Sequence, residues 1–355
     1  LKALDKRRAD SGKRRRKVIG LRVAAKAQPK FGSCELLQGD VLKTLEKVPS
    51  KSVALVVTSP PYNIGKSYER GDHDSFESYL KWQDKVIAAV VRCLKPNGSV
   101  CWQVGNYIKD GTLTPLDIAL HPLFVKHGLK LRNRIIWKFN FGLHANRRFS
   151  GRYETVLWMT KGDEYKFNLD PVRIPQLYPG KRHAMGKGKN GGKPSGNPKG
   201  KNPSDFWEFS ADKDFIENPI WDVPNVKSKH PEKTAHPCQF PVELAERCVL
   251  AFTSPNNTVL DPFVGVGSAA IAAVKHGRNA IGIDKNRQYL GIAAKRIASL
   301  RQGNLPLRPL GKPVMRPPEN EKVAQIPEEW RKQTTRHEGR TNGGSNGEKS
   351  KAKKK

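Results

Sequence analysis

Residues Val53 to Thr58 read Val-Ala-Leu-Val-Val-Thr, an unbroken apolar run that suits a strand covered on both faces, as the inner strands of a parallel sheet are. Such a strand requires crossover helices on both sides of its sheet. The following sequence supplies them. From Phe76 to Leu94 apolar residues recur at helical spacing, and Lys95-Pro96-Asn97-Gly98 stops the helix. A strand at 99–104 comes next, then a helix over 115–127 and strands near 133–138 and 154–160. A second alternating series has a helix at 242–252, a strand at 258–260, a helix at 268–276, a strand at 279–283 and a helix at 286–299. The expected fold class is α/β, with ligands at the carboxyl ends of the strands.

Two predicted strands end in motifs that carry chemistry. Asp261-Pro262-Phe263-Val264-Gly265-Val266-Gly267-Ser268 closes one strand and opens a helix, and Ile281-Gly282-Ile283-Asp284 closes the next. Gly265 and Gly267 let backbone approach a ligand, the helix starting at Ser268 offers free N–H groups, and Asp284 can accept both hydroxyls of a ribose. This reads as a nucleoside site. The spacing of Gly265, Gly267 and Ala270 also allows a dinucleotide fingerprint, although Asp261 then stands where pyrophosphate must approach; a carboxylate there suits an ammonium or sulfonium.

The other motif is Ser59-Pro60-Pro61-Tyr62, directly after the Val-rich strand. An exocyclic base amine is a poor nucleophile because its lone pair is delocalised into the ring. Acceptors on its N–H bonds push the nitrogen toward tetrahedral geometry, and Ser59 Oγ with the Pro60 carbonyl can provide them. The Pro-Pro pair holds both rigid, and the Tyr62 ring offers a face for an extruded base.

Charge narrows the partner. The chain of 355 residues has 65 Lys and Arg against 33 Asp and Glu, a formal net charge of +32. That excess argues against a neutral small-metabolite enzyme and for a polyanion. Residues 1–30 hold twelve basic and two acidic side chains, and residues 301–355 hold fourteen and six, with several prolines and a Gly343-Gly344-Ser345 stretch; these are expected to be a disordered basic arm and a disordered basic tail. The arm suits nonspecific phosphate contact, with a two-part nuclear import signal as the alternative. Between them, Lys181 to Lys201 carries seven basic residues and no acidic one amid Gly, Pro, Ser and Asn, as a long flexible loop that clamps nucleic acid would. Five cysteines form no C-x-x-C pair, the histidines have no metal-ligand spacing, and no signal peptide or membrane span is expected.

The two motifs together resemble those of the DNA amino-methyltransferases, which methylate cytosine N4 or adenine N6. Ser59 to Tyr62 is similar to that family's catalytic motif and Asp261 to Ser268 to its cofactor motif. Gln38-Gly39-Asp40, Leu94 to Gly98, Arg152 to Trp158 and His236 to Pro241 match further. The resemblance covers about residues 33–300, with the catalytic motif first, as in the family's beta group. It implies a Rossmann-like methyltransferase sheet in permuted strand order with an inserted target-recognition region. The implied parts are a catalytic half at 31–140, a target-recognition region at 141–233 with the basic loop at 181–201, and a cofactor-binding half at 234–300.

The resemblance implies S-adenosylmethionine as cofactor and no metal. Asp40 would contact its adenine amine, Asp284 its ribose, and Gly265 and Gly267 its methionine end, with Asp261, Pro262, Phe263, Ser268 and Pro237 completing the pocket. Pro237 and Pro241 equally suit a rigid helix entry. Arg147, Arg148, Arg152, Lys181, Arg182, Lys187 and Lys189 are the expected DNA contacts. Ser at the first catalytic position favours cytosine N4 over adenine N6. Pro237-Cys238-Gln239 echoes a cytosine C5 nucleophile motif, but it precedes the cofactor motif and Cys238 reads as a packing residue. The expected partners are double-stranded DNA and, within a restriction–modification pair, a cognate restriction endonuclease, with no membrane. A cytoplasmic monomer or homodimer is expected, nuclear only if the arm is an import signal. The rivals are an inactive DNA-binding regulator on the same fold and a glutamine or RNA methyltransferase.

Overall fold

The computed structural model describes residues 20–23, 31–64, 75–139, 144–176, 180–185, 188–207, 226 and 230–311. The chain divides into two units, Leu1–Val314 and Met315–Lys355, and every described residue lies in the first. In chain order its elements are β1 Gly20–Val23, β2 Cys34–Gln38, α1 Val41–Leu45, β3 Val53–Thr58, α2 Phe76–Cys93, β4 Leu94–Val104, β5 Asn106–Lys109, β6 Thr112–Pro115 and α3 Leu116–Lys126. They continue with β7 Lys130–Lys138, β8 Tyr153–Thr160, β9 Phe206–Trp207, α4 Val242–Phe252, β10 Thr258–Asp261, α5 Ser268–Lys275, β11 Asn279–Asp284 and α6 Arg287–Arg301.

One sheet runs in the order β1-β2-β11-β10-β3-β4-β8-β7-β9. From β2 to β4 the neighbours are parallel; β8 is antiparallel to both β4 and β7. All six residues of β3 are buried, because helices cover both faces. Leu55 and Val57 pack with Val249, Ile271 and Ile297 of α4, α5 and α6. Val56 points the other way, to Val86 and Leu120 of α2 and α3. Each such side chain contributes roughly 1.5–3 kcal/mol on burial, which fixes the register of β3 in the middle of the sheet.

Most predicted elements fall where periodicity put them, with informative departures. Helix α2 starts in a capping box at Ser75 and Ser78 and ends at Cys93, where β4 begins at once. Its register against β3 jumps from Val53↔Leu94 to Leu55↔Ser99, so Lys95 to Gly98 form an irregularity inside a strand that starts five residues earlier than predicted. The basic arm is not wholly outside the fold: Gly20–Val23 pairs antiparallel with Cys34–Gln38, since the edge of β2 offers unpaired backbone groups. The expected disordered tail also needs correction at its start. Arg301 ends α6, Leu305 and Leu307 pack against the core, and Arg308 is buried with its guanidinium 2.6 Å from Glu243. A buried carboxylate demands such a partner.

The loop at 181–201 folds back on itself where it is described. His183 N donates to Lys193 O at 3.0 Å and Ser195 N to Lys181 O at 2.8 Å, while Lys201 bridges Ile174. Its described residues form a hydrogen-bonded reversal, which the glycines at 188 and 192 allow by taking positive φ.

Candidate active site

Strand pairing brings the two motifs together. Val259 and Leu260 of β10 lie beside Leu55 and Val56 of β3, so the chain leaving each strand enters the same crevice at the carboxyl edge. The junction is tied by a buried hydrogen bond: Thr58 Oγ1 donates to Asp261 Oδ1 at 2.6 Å. A cavity of about 610 Å³ opens above it, lined by Ser59, Pro60, Pro61 and Tyr62 on one side and by Pro262, Phe263, Gly265, Ser268 and Asp284 on the other. Asp40 and Pro237 also line it.

The acidic groups divide by environment. Asp284 ends β11, its backbone carbonyl accepting from Gly39 N at 3.0 Å; its carboxylate accepts from Gly265 N at 2.9 Å and Asn286 N at 2.7 Å. Burial raises its pKa despite these donors. Each oxygen keeps a further lone pair for a ribose hydroxyl. Asp40 caps α1, accepting from Lys43 N at 3.1 Å. Asp261 lies behind the cavity wall rather than in its lining. Burial pushes its pKa up to about 7, Phe263 N also donates to its Oδ1 at 3.0 Å, and Oδ2 has no hydrogen-bond partner. It braces the floor of the site.

The glycines have different jobs. Gly265 has φ +47°, and a Cβ there would come within 3.3 Å of His236 Nε2, so only glycine keeps the turn open toward the cavity. Gly267, at φ +89°, caps α5 and would meet Ala293 of α6 at 3.0 Å. The structure places it in helix packing, outside the cavity lining. Ser268 Oγ donates to the Phe240 carbonyl at 2.7 Å, which holds the 236–241 segment over the start of α5. Within that segment burial lowers the pKa of His236 to about 4, keeping it neutral against the edge of Tyr289, 4.5 Å between ring centres. Cys238 is exposed and lines the cavity; the reading of it as a packing residue is corrected.

The side-chain-free turn at Gly265 and the carboxylates of Asp284 and Asp40, gathered in one crevice, fit a cationic, ribose-bearing ligand such as S-adenosylmethionine. Among the described residues no group of His, Cys, Asp and Glu is arranged to hold a metal, and no helix is long and apolar enough to cross a membrane.

Beside Tyr62, sequence reasoning missed Gln103 and gave Glu154, within the Arg152 to Trp158 match, no role of its own. Gln103 on β4 donates to Tyr62 Oη at 2.8 Å and to the Glu154 carboxylate on β8, and both line the cavity. Their signal was a polar residue near the end of an apolar strand in Ser99 to Val104 and in Tyr153 to Thr160.

The expected DNA contacts lie outside the cavity lining. Arg147 and Arg148 are exposed on a loop closed by Ala145 N donating to Ser150 Oγ at 3.1 Å. Phe149 at its tip is 100% exposed. The loop leads into Glu154, which lines the cavity. Arg152 is half-buried beside it, 3.5 Å from His144. Lys181, Arg182 and Lys189 are exposed on the basic hairpin, and Lys187 lies outside the described residues.

Known proteins match this arrangement. A family model described as DNA methylase, covering N6 and N4 methyltransferases, matches residues 53–295. Type II methyltransferase M.BglII of Bacillus subtilis is 46% identical over 266 residues, 75% of this chain and 69% of that protein. DNA adenine methyltransferase YhdJ of Escherichia coli (strain K12) is 30% identical over 268 residues, 74% of this chain and 82% of that protein. The solved structure of PvuII DNA methyltransferase (cytosine-N4-specific) has a TM-score of 0.54 at 19% identity, covering 83% of this chain and 96% of its own, a likeness of fold.

Proposed function

Since this chain belongs to the N6/N4 DNA methylase family and is a DNA methyltransferase, we propose that it methylates the N4 amine of cytosine at a specific sequence in duplex DNA. The observation that carries this reading is Ser59 at the end of β3, 3.2 Å from Tyr62 Oη and in one cavity with Asp284 and the Gly265 turn. S-adenosylmethionine supplies a methyl group on a sulfonium, which needs no metal and no strong base to react with an amine. The residues do the rest. Asp284 and Asp40 hold the nucleoside end, and Gly265 and the 236–241 segment shape the methionine end. Ser59 Oγ and the Pro60 carbonyl accept from the target amine and localise its lone pair, while Tyr62 stacks on the extruded ring. Arg147, Arg148 and Arg152 and, on the basic hairpin, Lys181, Arg182 and Lys189 meet the duplex.

Adenine N6 is the second reading, favoured by the name of YhdJ, and a serine hydroxyl accepts from either amine. The type II relatives support membership of a restriction–modification pair with a cognate endonuclease. The test is transfer of labelled methyl from S-adenosylmethionine to methyl-free duplex DNA. Label entering DNA with wild type and lost with Ser59→Ala supports the proposal; label retained by Ser59→Ala contradicts it.

A further inference from the structure

The hydrogen-bond chain from Glu154 to Ser59 has a direction. A carboxylate only accepts, so the amide nitrogen of Gln103, and not its oxygen, faces Glu154. That nitrogen carries two hydrogens. One goes to Glu154 and the other to Tyr62 Oη at 2.8 Å, which makes the phenol oxygen an acceptor toward Gln103. A phenol is the better donor of two hydroxyls, so in the 3.2 Å contact between Tyr62 Oη and Ser59 Oγ the tyrosine donates. Ser59 Oγ so held cannot rotate freely, and its remaining lone pair is aimed at whatever amine enters. The frame around this chain is tight: Gln103 is 4% exposed, and a Cβ on Gly105 would stand 3.1 Å from the Tyr62 ring and 3.3 Å from Glu154 Oε1.

We propose that Glu154 is a positioning residue for methyl transfer: through Gln103 and Tyr62 it sets the direction of the hydrogen bond that orients Ser59. This rests on the reading of Ser59 as the acceptor of the target amine. Without a carboxylate at 154, the Gln103 amide can flip, its oxygen then takes the Tyr62 hydrogen, and Ser59 loses its orienting donor.

The experiment measures single-turnover methyl transfer from S-adenosylmethionine to methyl-free duplex DNA, with equilibrium affinities for both, in wild type and variants. Glu154→Gln should slow transfer by about 10- to 100-fold, the range for misplaced reacting groups, with both affinities within about threefold of wild type. In a Tyr62→Phe background the same change should cost less than about threefold more, because the hydroxyl it orients is gone. The exchanged pair, Gln103→Glu with Glu154→Gln, separates direction from packing. It keeps the volume, the charge and a hydrogen bond between the two positions, but presents a carboxylate to Tyr62 and reverses the chain. It should stay as slow as Glu154→Gln. Recovery of the exchanged pair to near wild-type rate, equal costs of Glu154→Gln with and without the Tyr62 hydroxyl, or an unchanged rate in Glu154→Gln would overturn the proposal. Wild-type protein that moves no methyl to DNA would instead remove the reading on which it stands.

Discussion

The bond between Thr58 and Asp261 joins the two halves of the site, and Thr58→Val measures its strength. The hydroxyl and carboxylate are 2.6 Å apart, at 0% and 2% exposure, so water cannot replace either partner. Folding raises the Asp261 pKa from 3.8 to about 7. The folded state therefore holds a proton that the unfolded chain has released, and stability falls as pH rises between about 4 and 7. At ~1.4 kcal/mol per unit the whole change is about 4 kcal/mol. Above pH 7 the carboxylate is ionised and Thr58 donates a charge-assisted bond worth about 1.5–3 kcal/mol; below pH 6 the acid is neutral and the bond is worth about 0.5–1.5 kcal/mol. Valine fills the same space without the donor. Thr58→Val should thus destabilise by about 2–3 kcal/mol at pH 8 and about 1 kcal/mol at pH 5, and the loss of stability with pH should steepen. Urea unfolding followed by tryptophan fluorescence at both pH values reads the difference as a shift in midpoint at constant m. Asp261→Asn serves as control and should flatten the wild-type slope between pH 4 and 7. Equal losses for Thr58→Val at the two pH values would refute the assignment of that slope to Asp261.

Other consequences are less elaborate. Gly265→Ala forces a Cβ into a positive-φ turn 3.3 Å from His236; calorimetry should show S-adenosylmethionine affinity falling roughly tenfold, with DNA affinity kept. Arg308→Met leaves Glu243 with Arg247 but without its second guanidinium, and should lower stability by about 3 kcal/mol, read by denaturation. Trimming residues 1–19 and 312–355, which spares β1 and the Arg308 segment, should reduce the salt dependence of DNA binding while the methylated sequence stays the same. A changed sequence would make those segments readers of bases.

Legibility followed locality. Strand β3 and helices α2 and α6 carry their periodicity within a few turns of chain, and Ser59 to Tyr62 and Asp261 to Ser268 are contiguous, so both could be read directly. The β5–β6 hairpin was missed although Asp110-Gly111, both at positive φ, is a turn signal; its strands are too short and polar for periodicity to register. Gln103 was missed, and Glu154 was quoted within Arg152 to Trp158 without a role, because their meaning depends on the antiparallel pairing of β4 with β8, in which Val104 lies opposite Thr155. Asp261 and Gly267 were recognised as motif residues but given ligand contacts. Their burial against Thr58 and Ala293 shows that a motif residue can serve by bracing the residues beside it. Arg308 was hidden in a Pro-rich tail because nothing local announces the buried Glu243 it pairs with.

The central claim is the identity of the methylated atom, and one measurement addresses it: methyl-free duplex DNA is treated with the protein and S-adenosylmethionine, digested to nucleosides, and the product identified by mass spectrometry. The arrangement at Ser59 predicts N4-methylcytosine, absent when Ser59 is replaced by alanine. N6-methyladenine as the product would contradict the target base while leaving the amine chemistry in place, and 5-methylcytosine would contradict both.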